Sequence, residues 1–197
     1  MFVEEVMFAS DEAGQKKLQR AAKQGAITRI MKGIYVNAVA PADLAPDAVS
    51  PVDLVVRRNW QKILGHILPG AVVSHLSALR GGITPDGEIT LSHPTRFNTS
   101  IPLPGLTAVL IKGPSALPGD MPLWDTGLYW SSRPRMLLEN LVKSHSRRPR
   151  TAGKTGVEEK LVAILNASGE TALNRLRDDA LKLAESLEAS KEFNTLN

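Results

Sequence analysis

The hydrophobic and polar positions of the first 25 residues predict a strand followed by a short helix. Residues 2–8 are largely apolar and are typical of a strand. A helix is expected over about residues 11–24, with Ser10 as its N-cap and Gly25 as its C-terminal stop. Its apolar positions recur at spacings of three and four: Leu18, Ala21 and Ala22.

A β-hairpin is predicted directly after this helix. Ile34 and Val36 alternate as in a strand, and residues 31–33 form the expected turn, with Gly33 at the demanding position. Six basic residues are spread over the helix and the hairpin: Lys16, Lys17, Arg20, Lys23, Arg29 and Lys32. A basic helix leading into a basic hairpin is typical of the DNA-reading half of a winged helix. The alternative, a solvated basic helix beside an ordinary hairpin, stays open from the pattern alone.

The pattern beyond residue 37 predicts mixed α and β structure. Residues 38–50 are rich in Ala, Pro and Asp and indicate a linker. One amphipathic helix is expected over 51–68, capped by Ser50, and the segments 102–105 and 113–122 are expected to be irregular. Further helices are expected over 74–79, 134–142, 157–165 and 170–190, and strands over 71–73, 88–92, 106–112 and 128–131. The fold class is therefore α+β.

Composition narrows the function classes. The chain has 197 residues and no cysteine, which excludes a disulfide scaffold, a thiolate zinc site and a cysteine nucleophile. It contains no apolar run of the roughly 18 residues that a membrane span needs, and its start does not resemble a signal peptide. We therefore expect a cytoplasmic protein without a membrane partner.

The charge of the chain is unevenly distributed. The net charge is +4, but residues 113–156 carry seven basic and three acidic side chains, and residues 157–197 carry five basic and eight acidic ones. The connector 143–154 contains only basic charges: Lys143, Arg147, Arg148, Arg150 and Lys154. Such a strip can displace counterions from a phosphate backbone, and we predict DNA contacts for Arg147, Arg148 and Arg150. A solvated linker is the alternative.

The patterns of catalytic, cofactor and metal sites are absent from the sequence. The Gly153-Lys154-Thr155 segment is not a P-loop, because Arg148 stands where the first glycine belongs. Ser74 and His75 lie outside any G-x-S-x-G elbow, and the four histidines lack metal-ligand spacing. We expect a protein that is not an enzyme, with no catalytic residue, no metal and no cofactor; a nuclease is the weakest of the alternatives.

Three segments in order resemble a known family. "LQRAAKQGAITRIMKGIYV" (18–36), "LPGAVVSHLSALRGG" (68–82) and "GLYWSSRPRMLLENL" (127–141) are similar to segments of the AbiEi-type antitoxins, DNA-binding regulators of type IV toxin–antitoxin systems. The same order, ending in "GETALNRLRDDA" (169–180), also resembles the N-terminal region of certain Fic-family proteins. The Fic catalytic motif is absent, since His93-Pro94 continues as Thr95.

The resemblance implies a domain organisation and a function. We expect a winged-helix-like unit over 1–40, reduced because too few residues precede its helix, an AbiEi-like mixed domain over 50–150, and a helical tail over 155–197. The implied function is transcriptional regulation at the chain's own promoter, on double-stranded DNA, with an antitoxin role toward a cognate toxin. The alternative is a non-catalytic protein-interaction module of a Fic-like protein, docking through a leucine stripe in the tail: Leu173, Leu176 and Leu183. The sequence leaves the oligomeric state undetermined.

Overall fold

The computed structural model describes residues 4–42, 45, 48–141, 150–184, 187 and 194, and these form an α+β fold. The strands of this described part are β1 (Val6–Phe8), β2 (Thr28–Met31), β3 (Ile34–Val36), β4 (Val72–Val73), β5 (Glu88–His93), β6 (Thr99–Leu103), β7 (Leu106–Lys112), β8 (Met121–Pro122) and β9 (Tyr129–Trp130). The α-helices are α1 (Glu12–Lys23), α2 (Pro51–Arg58), α3 (Trp60–Ile67), α4 (His75–Arg80), α5 (Arg133–Leu141) and α6 (Gly153–Ala184), and a short 3-10 turn spans Trp124–Thr126.

The N-terminal strands form a small antiparallel sheet in the order β1-β3-β2. Its central strand β3 is buried along its whole length, whereas Arg29 on the edge strand β2 is exposed. A register irregularity between Arg29 and Met31 adjusts β2 to the turn that follows. The predicted hairpin is confirmed.

A larger mixed sheet forms the centre of the molecule, in the order β6-β7-β5-β4-β9-β8. The pairs β5–β7 and β4–β9 are parallel, and the other neighbours are antiparallel. Among the inner strands, β4 is buried throughout, β5 is buried except at its two ends, and β7 is buried at four of its seven residues, as expected for strands largely covered on both faces. The inner strand β9 is half-buried.

The small sheet packs against α2 and α3. Val6, Ile34 and Val36 belong to the same hydrophobic cluster as the apolar faces of these two helices. Glu5 accepts bonds from Arg58 (Oε1–Nη2, 2.6 Å), and the rings of Phe8 and His66 lie 4.3 Å apart. The apolar cluster is thus continuous from the small sheet to the rest of the fold. The three-part domain division stays a prediction.

Several local expectations were wrong in detail. The N-cap of α1 is Asp11 and not Ser10, since the Asp11 carboxylate accepts from the Gly14 amide at 2.6 Å. The helix expected over 51–68 is two helices, because Asn59 leaves the helical region (φ −107°, ψ 16°) and donates its side-chain amide to Glu5 at 2.7 Å. Strand β8 and the last two residues of β6 lie in segments that were expected to be irregular.

The tail forms two helical halves joined at Gly169, as the sequence predicts, because this residue adopts φ +78° inside α6. Leu176 and Leu183 pack on the hydrophobic core, and Leu173 lines an apolar cavity of about 260 Å³ together with Leu137 and Leu141 of α5. The leucine stripe therefore packs against other parts of the same chain.

Candidate nucleic-acid interface

Helix α1 is set by local signals at both ends. After Asp11 at its start, it ends in a Schellman motif: the Gly25 amide donates to Ala22 O at 3.1 Å, and the Ala26 amide donates to Ala21 O at 3.1 Å. Gly25 adopts the positive φ (+74°) that this motif requires. No residue of α1 is fully buried. The helix thus lies on the surface of the fold, with six of its twelve residues exposed and the other six half-buried.

All six basic residues predicted for this region are exposed: Lys16, Lys17, Arg20, Lys23, Arg29 and Lys32. Three of them, Lys16, Lys17 and Arg20, line one shallow, open groove formed only by residues of α1 and its C-cap. Lys16 also forms an exposed i,i+4 ion pair with Glu12 at 2.7 Å, which contributes little to stability in water. These three cations therefore share one helix face.

A second groove of about 610 Å³ lies between α1 and the hairpin. Lys23 at the end of α1 and Arg29 of β2 both line it, and no acidic residue does. Arg29 is oriented by a weak bond from its Nε to Met31 O at 3.3 Å. The helix and the hairpin thus contribute one cation each to the same concave surface.

Lys32 lies at the tip of the hairpin, beside Gly33. Gly33 has φ +78°, and a Cβ at this position would have open space around it. Glycine is therefore favoured here by the backbone conformation and not by a lack of space. The turn predicted at residues 31–33 is confirmed, and it carries Lys32 away from both grooves.

Tyr35 is a residue of this region that sequence reasoning missed. Its side chain is fully buried and lines the second groove, and its hydroxyl has no hydrogen-bond partner among the described residues. The sequence feature that could have drawn attention to Tyr35 is an aromatic residue in the second strand of a basic hairpin. In the structure, Tyr35 pairs with Arg29 on the neighbouring strand.

The basic connector is only partly described. Arg147 and Arg148 lie outside the described residues. Arg150 is half-buried, and its carbonyl oxygen accepts from the Leu76 amide at 3.0 Å. That bond holds Arg150 at the first turn of α4. Arg150 lines neither of the two grooves at α1.

Ser74 and His75 do not have the geometry of a hydrolase site. Their side chains share a hydrogen bond of 2.9 Å, but Ser74 is completely buried and cannot reach an external substrate. Glu139 approaches the backbone amide of His75 at 3.4 Å and makes no bond to its ring. Burial lowers the pKa of His75, outweighing the opposing effect of Glu139.

Behind this turn lies a buried ion network that the sequence did not reveal. Arg135 is completely buried, and its Nε donates to Glu139 Oε1 at 2.8 Å while its Nη1 donates to Asp120 Oδ2 at 2.6 Å. The remaining three N–H groups donate to Ser92 Oγ and to the carbonyl oxygens of Pro114 and Ser115. All five N–H donors of Arg135 are used, so the network is structural and leaves no free donor for a ligand.

Two further features of the described residues bear on function. Among them, no three His, Cys, Asp or Glu side chains are grouped as they would be to hold a metal ion. No helix in the described ranges is long and apolar enough to cross a membrane.

No family model matches this chain, and the comparison with curated proteins also gives no match. Support for a function therefore comes from the residues of the chain and from their placement.

Proposed function

We propose that this chain is a DNA-binding transcriptional regulator that contacts double-stranded DNA through α1 and the β2–β3 hairpin. The observation that carries the proposal is the groove between these two elements, lined by Lys23 and Arg29 and by no acidic residue. The neighbouring groove on α1 adds Lys16, Lys17 and Arg20.

The physical basis is the phosphate backbone. Cations on a surface helix and an adjacent hairpin can bind successive phosphates and release condensed counterions. Because α1 buries none of its residues completely, a DNA groove could take up the helix while the hairpin lies along the backbone. We interpret the single helix, the hairpin and the third strand β1, which pairs with β3, as a reduced winged helix.

The further parts of the proposal follow from the resemblance to AbiEi-type antitoxins. The target is the promoter of the chain's own gene, the partner is a cognate toxin, and the protein acts in the cytoplasm without catalysing a reaction. Arg147, Arg148 and Arg150 of the connector would add backbone contacts.

The alternative of a protein-interaction module has less support. The leucine stripe on which it depended packs against α5 and the core, so a partner would have to use another surface. Its remaining apolar candidates on α6 are the exposed side chains of Val162, Leu165 and Leu181.

A gel-shift titration against the DNA upstream of the gene tests the proposal, at roughly 50 and 200 mM salt. The wild type should shift this fragment more strongly than a scrambled duplex, and less strongly at the higher salt. The double variant Arg20→Ala with Arg29→Ala should lose most of the shift. The matched control, Arg175→Ala with Lys182→Ala, removes the same charge from exposed positions on α6 and should behave like the wild type. Equal shifts by the two double variants would refute the assigned interface.

A further inference from the structure

A third groove, of about 510 Å³, lies between α4, the β8–β9 pair and the first half of α6. Three cationic side chains line it: Arg80, Arg133 and Lys160. No acidic residue lines it, and none of the three cations forms an ion pair with another described residue. Like charges held near one another without counter-charges indicate a surface arranged for an anion.

Ser131 supplies a second, independent indication at the same place. It is only 3% exposed, it lines this groove, and its hydroxyl has no hydrogen-bond partner within the described part of the chain. Buried hydroxyls in folded proteins nearly always have a partner, so the unpaired Ser131 hydroxyl becomes a donor to a bound ligand once its side chain rotates toward the groove.

Most of the remaining groove wall is apolar. Half-buried Trp130 forms part of its wall, with Met136 on α5 and Ile164 on α6. An aromatic surface next to cations suits a ligand that joins a flat ring to a charged group. The volume lies within the roughly 300–1,000 Å³ that small-molecule sites occupy.

We infer that this groove binds a nucleoside phosphate, with the phosphoryl group at Arg80, Arg133 and Lys160 and the base against Trp130. On binding, the Ser131 side chain rotates toward the groove and donates its hydroxyl to a phosphoryl oxygen. Three cations and a hydroxyl suit a phosphate dianion better than a single carboxylate. No residue of α1 or of the hairpin lines this groove, so the inference does not depend on the proposed DNA interface.

The test is isothermal titration calorimetry of the full chain with AMP, adenosine and inorganic phosphate. AMP should bind at least about tenfold more tightly than adenosine, because only AMP carries the charged group. Arg133→Ala and Lys160→Ala should each weaken AMP binding by about tenfold. The control Arg175→Ala removes an exposed cation from the same helix as Lys160, outside the groove, and should leave AMP affinity unchanged.

A substitution at a buried residue separates an effect on ligand binding from an effect on stability. Ser131→Ala removes a hydroxyl that has no partner in the described structure, so its thermal unfolding midpoint should be no lower than that of the wild type. Its affinity for AMP should nevertheless fall several-fold.

Three results would overturn the inference: equal binding of AMP and adenosine, no AMP binding at all, or wild-type AMP affinity in both cation variants. A competition experiment with a short DNA duplex completes the test. If it displaces AMP and loses affinity in Arg133→Ala, the groove takes backbone phosphates of DNA, and the assignment to a free nucleotide is wrong.

Discussion

At the scale of single residues, Arg135 shows how completely a buried cation must be satisfied. Its partners come from three separate places in the chain: Ser92 at the end of β5, Asp120 with the carbonyl groups before it, and Glu139 one turn along α5. The guanidinium and both carboxylates are almost fully shielded from water, so each depends on the others for its charge to be tolerated.

Replacing Arg135 by Met should therefore leave two buried carboxylates without their counter-charge. We expect a loss of about 3–5 kcal/mol in the free energy of unfolding, measured by urea denaturation. Arg135→Lys restores a charge but not the five-donor fork, and should recover only part of the loss. The exposed control Arg175→Met should stay within about 0.5 kcal/mol of the wild type. A mild effect of Arg135→Met would mean that the network is not coupled to the fold.

We expect His75 to make the stability of the fold depend on pH. Burial is the main cause of its lowered pKa, and the charges of Arg135 and Arg150 act in the same direction. Below the ordinary pKa of 6.5, the unfolded chain takes up a proton at this site before the folded chain does. The free energy of unfolding should then fall as the pH drops below 6.5, until the folded-state pKa is reached.

The matched variant is His75→Asn, because Asn tolerates the φ of +50° at this position and does not titrate. Urea midpoints measured between pH 7.5 and 5 should decline less steeply in His75→Asn than in the wild type. An identical decline in both proteins would show that other groups cause the pH dependence.

At the scale of elements, the contact between α3 and the 3-10 turn depends on a missing side chain. A Cβ on Gly65 would lie 1.9 Å from the carbonyl oxygen of Thr126. This oxygen belongs to the backbone and cannot rotate away, so any side chain at position 65 must separate the two elements.

Gly65→Ala should therefore destabilise the protein by about 1–3 kcal/mol or more, despite the better helix propensity of Ala. Thermal or urea unfolding measures this directly. Lys62→Ala, at an exposed position of the same helix, should change the stability by no more than a few tenths of a kcal/mol. A stabilised Gly65→Ala protein would contradict the close approach of α3 to the turn.

At the scale of the whole molecule, the placement of charge is the property most closely tied to the proposed function. The six cations of α1 and the hairpin are exposed. Five of them line grooves that contain no acidic residue, and Lys32 lies at the tip of the hairpin. Each cation that contacts a phosphate should contribute about one counterion to the salt dependence of DNA binding.

Arg20→Ala with Arg29→Ala should accordingly reduce the slope of log affinity against log salt by about two. Fluorescence anisotropy of a labelled promoter duplex over a salt series measures this slope. The α6 control pair, Arg175→Ala with Lys182→Ala, should keep the wild-type slope. An unchanged slope in the first pair would mean that these two cations do not contact phosphates.

The predictions from sequence succeeded where the determinants are local. The stop at Gly25, the turn at Gly33 and the break at Gly169 each follow from a backbone conformation that favours glycine, and the structure confirms them. The basic character of α1 and its hairpin is also a property of the sequence alone. The AbiEi-like family and the DNA-binding function stay predictions.

The tertiary structure decided what depends on distant partners. Asn59 interrupts the helix expected over 51–68 while its side chain bonds to Glu5, which is far away in the sequence. Strands β6 and β8 contain Pro102 and Pro122, residues that indicate irregular structure, yet both strands lie at sheet edges, where a missing N–H is tolerated. The groove at Arg80, Arg133 and Lys160 exists only because three helices and a strand pair meet there. Sequence therefore determined the local backbone and the charge of each segment, whereas packing alone determined which charges are buried together and which share a groove.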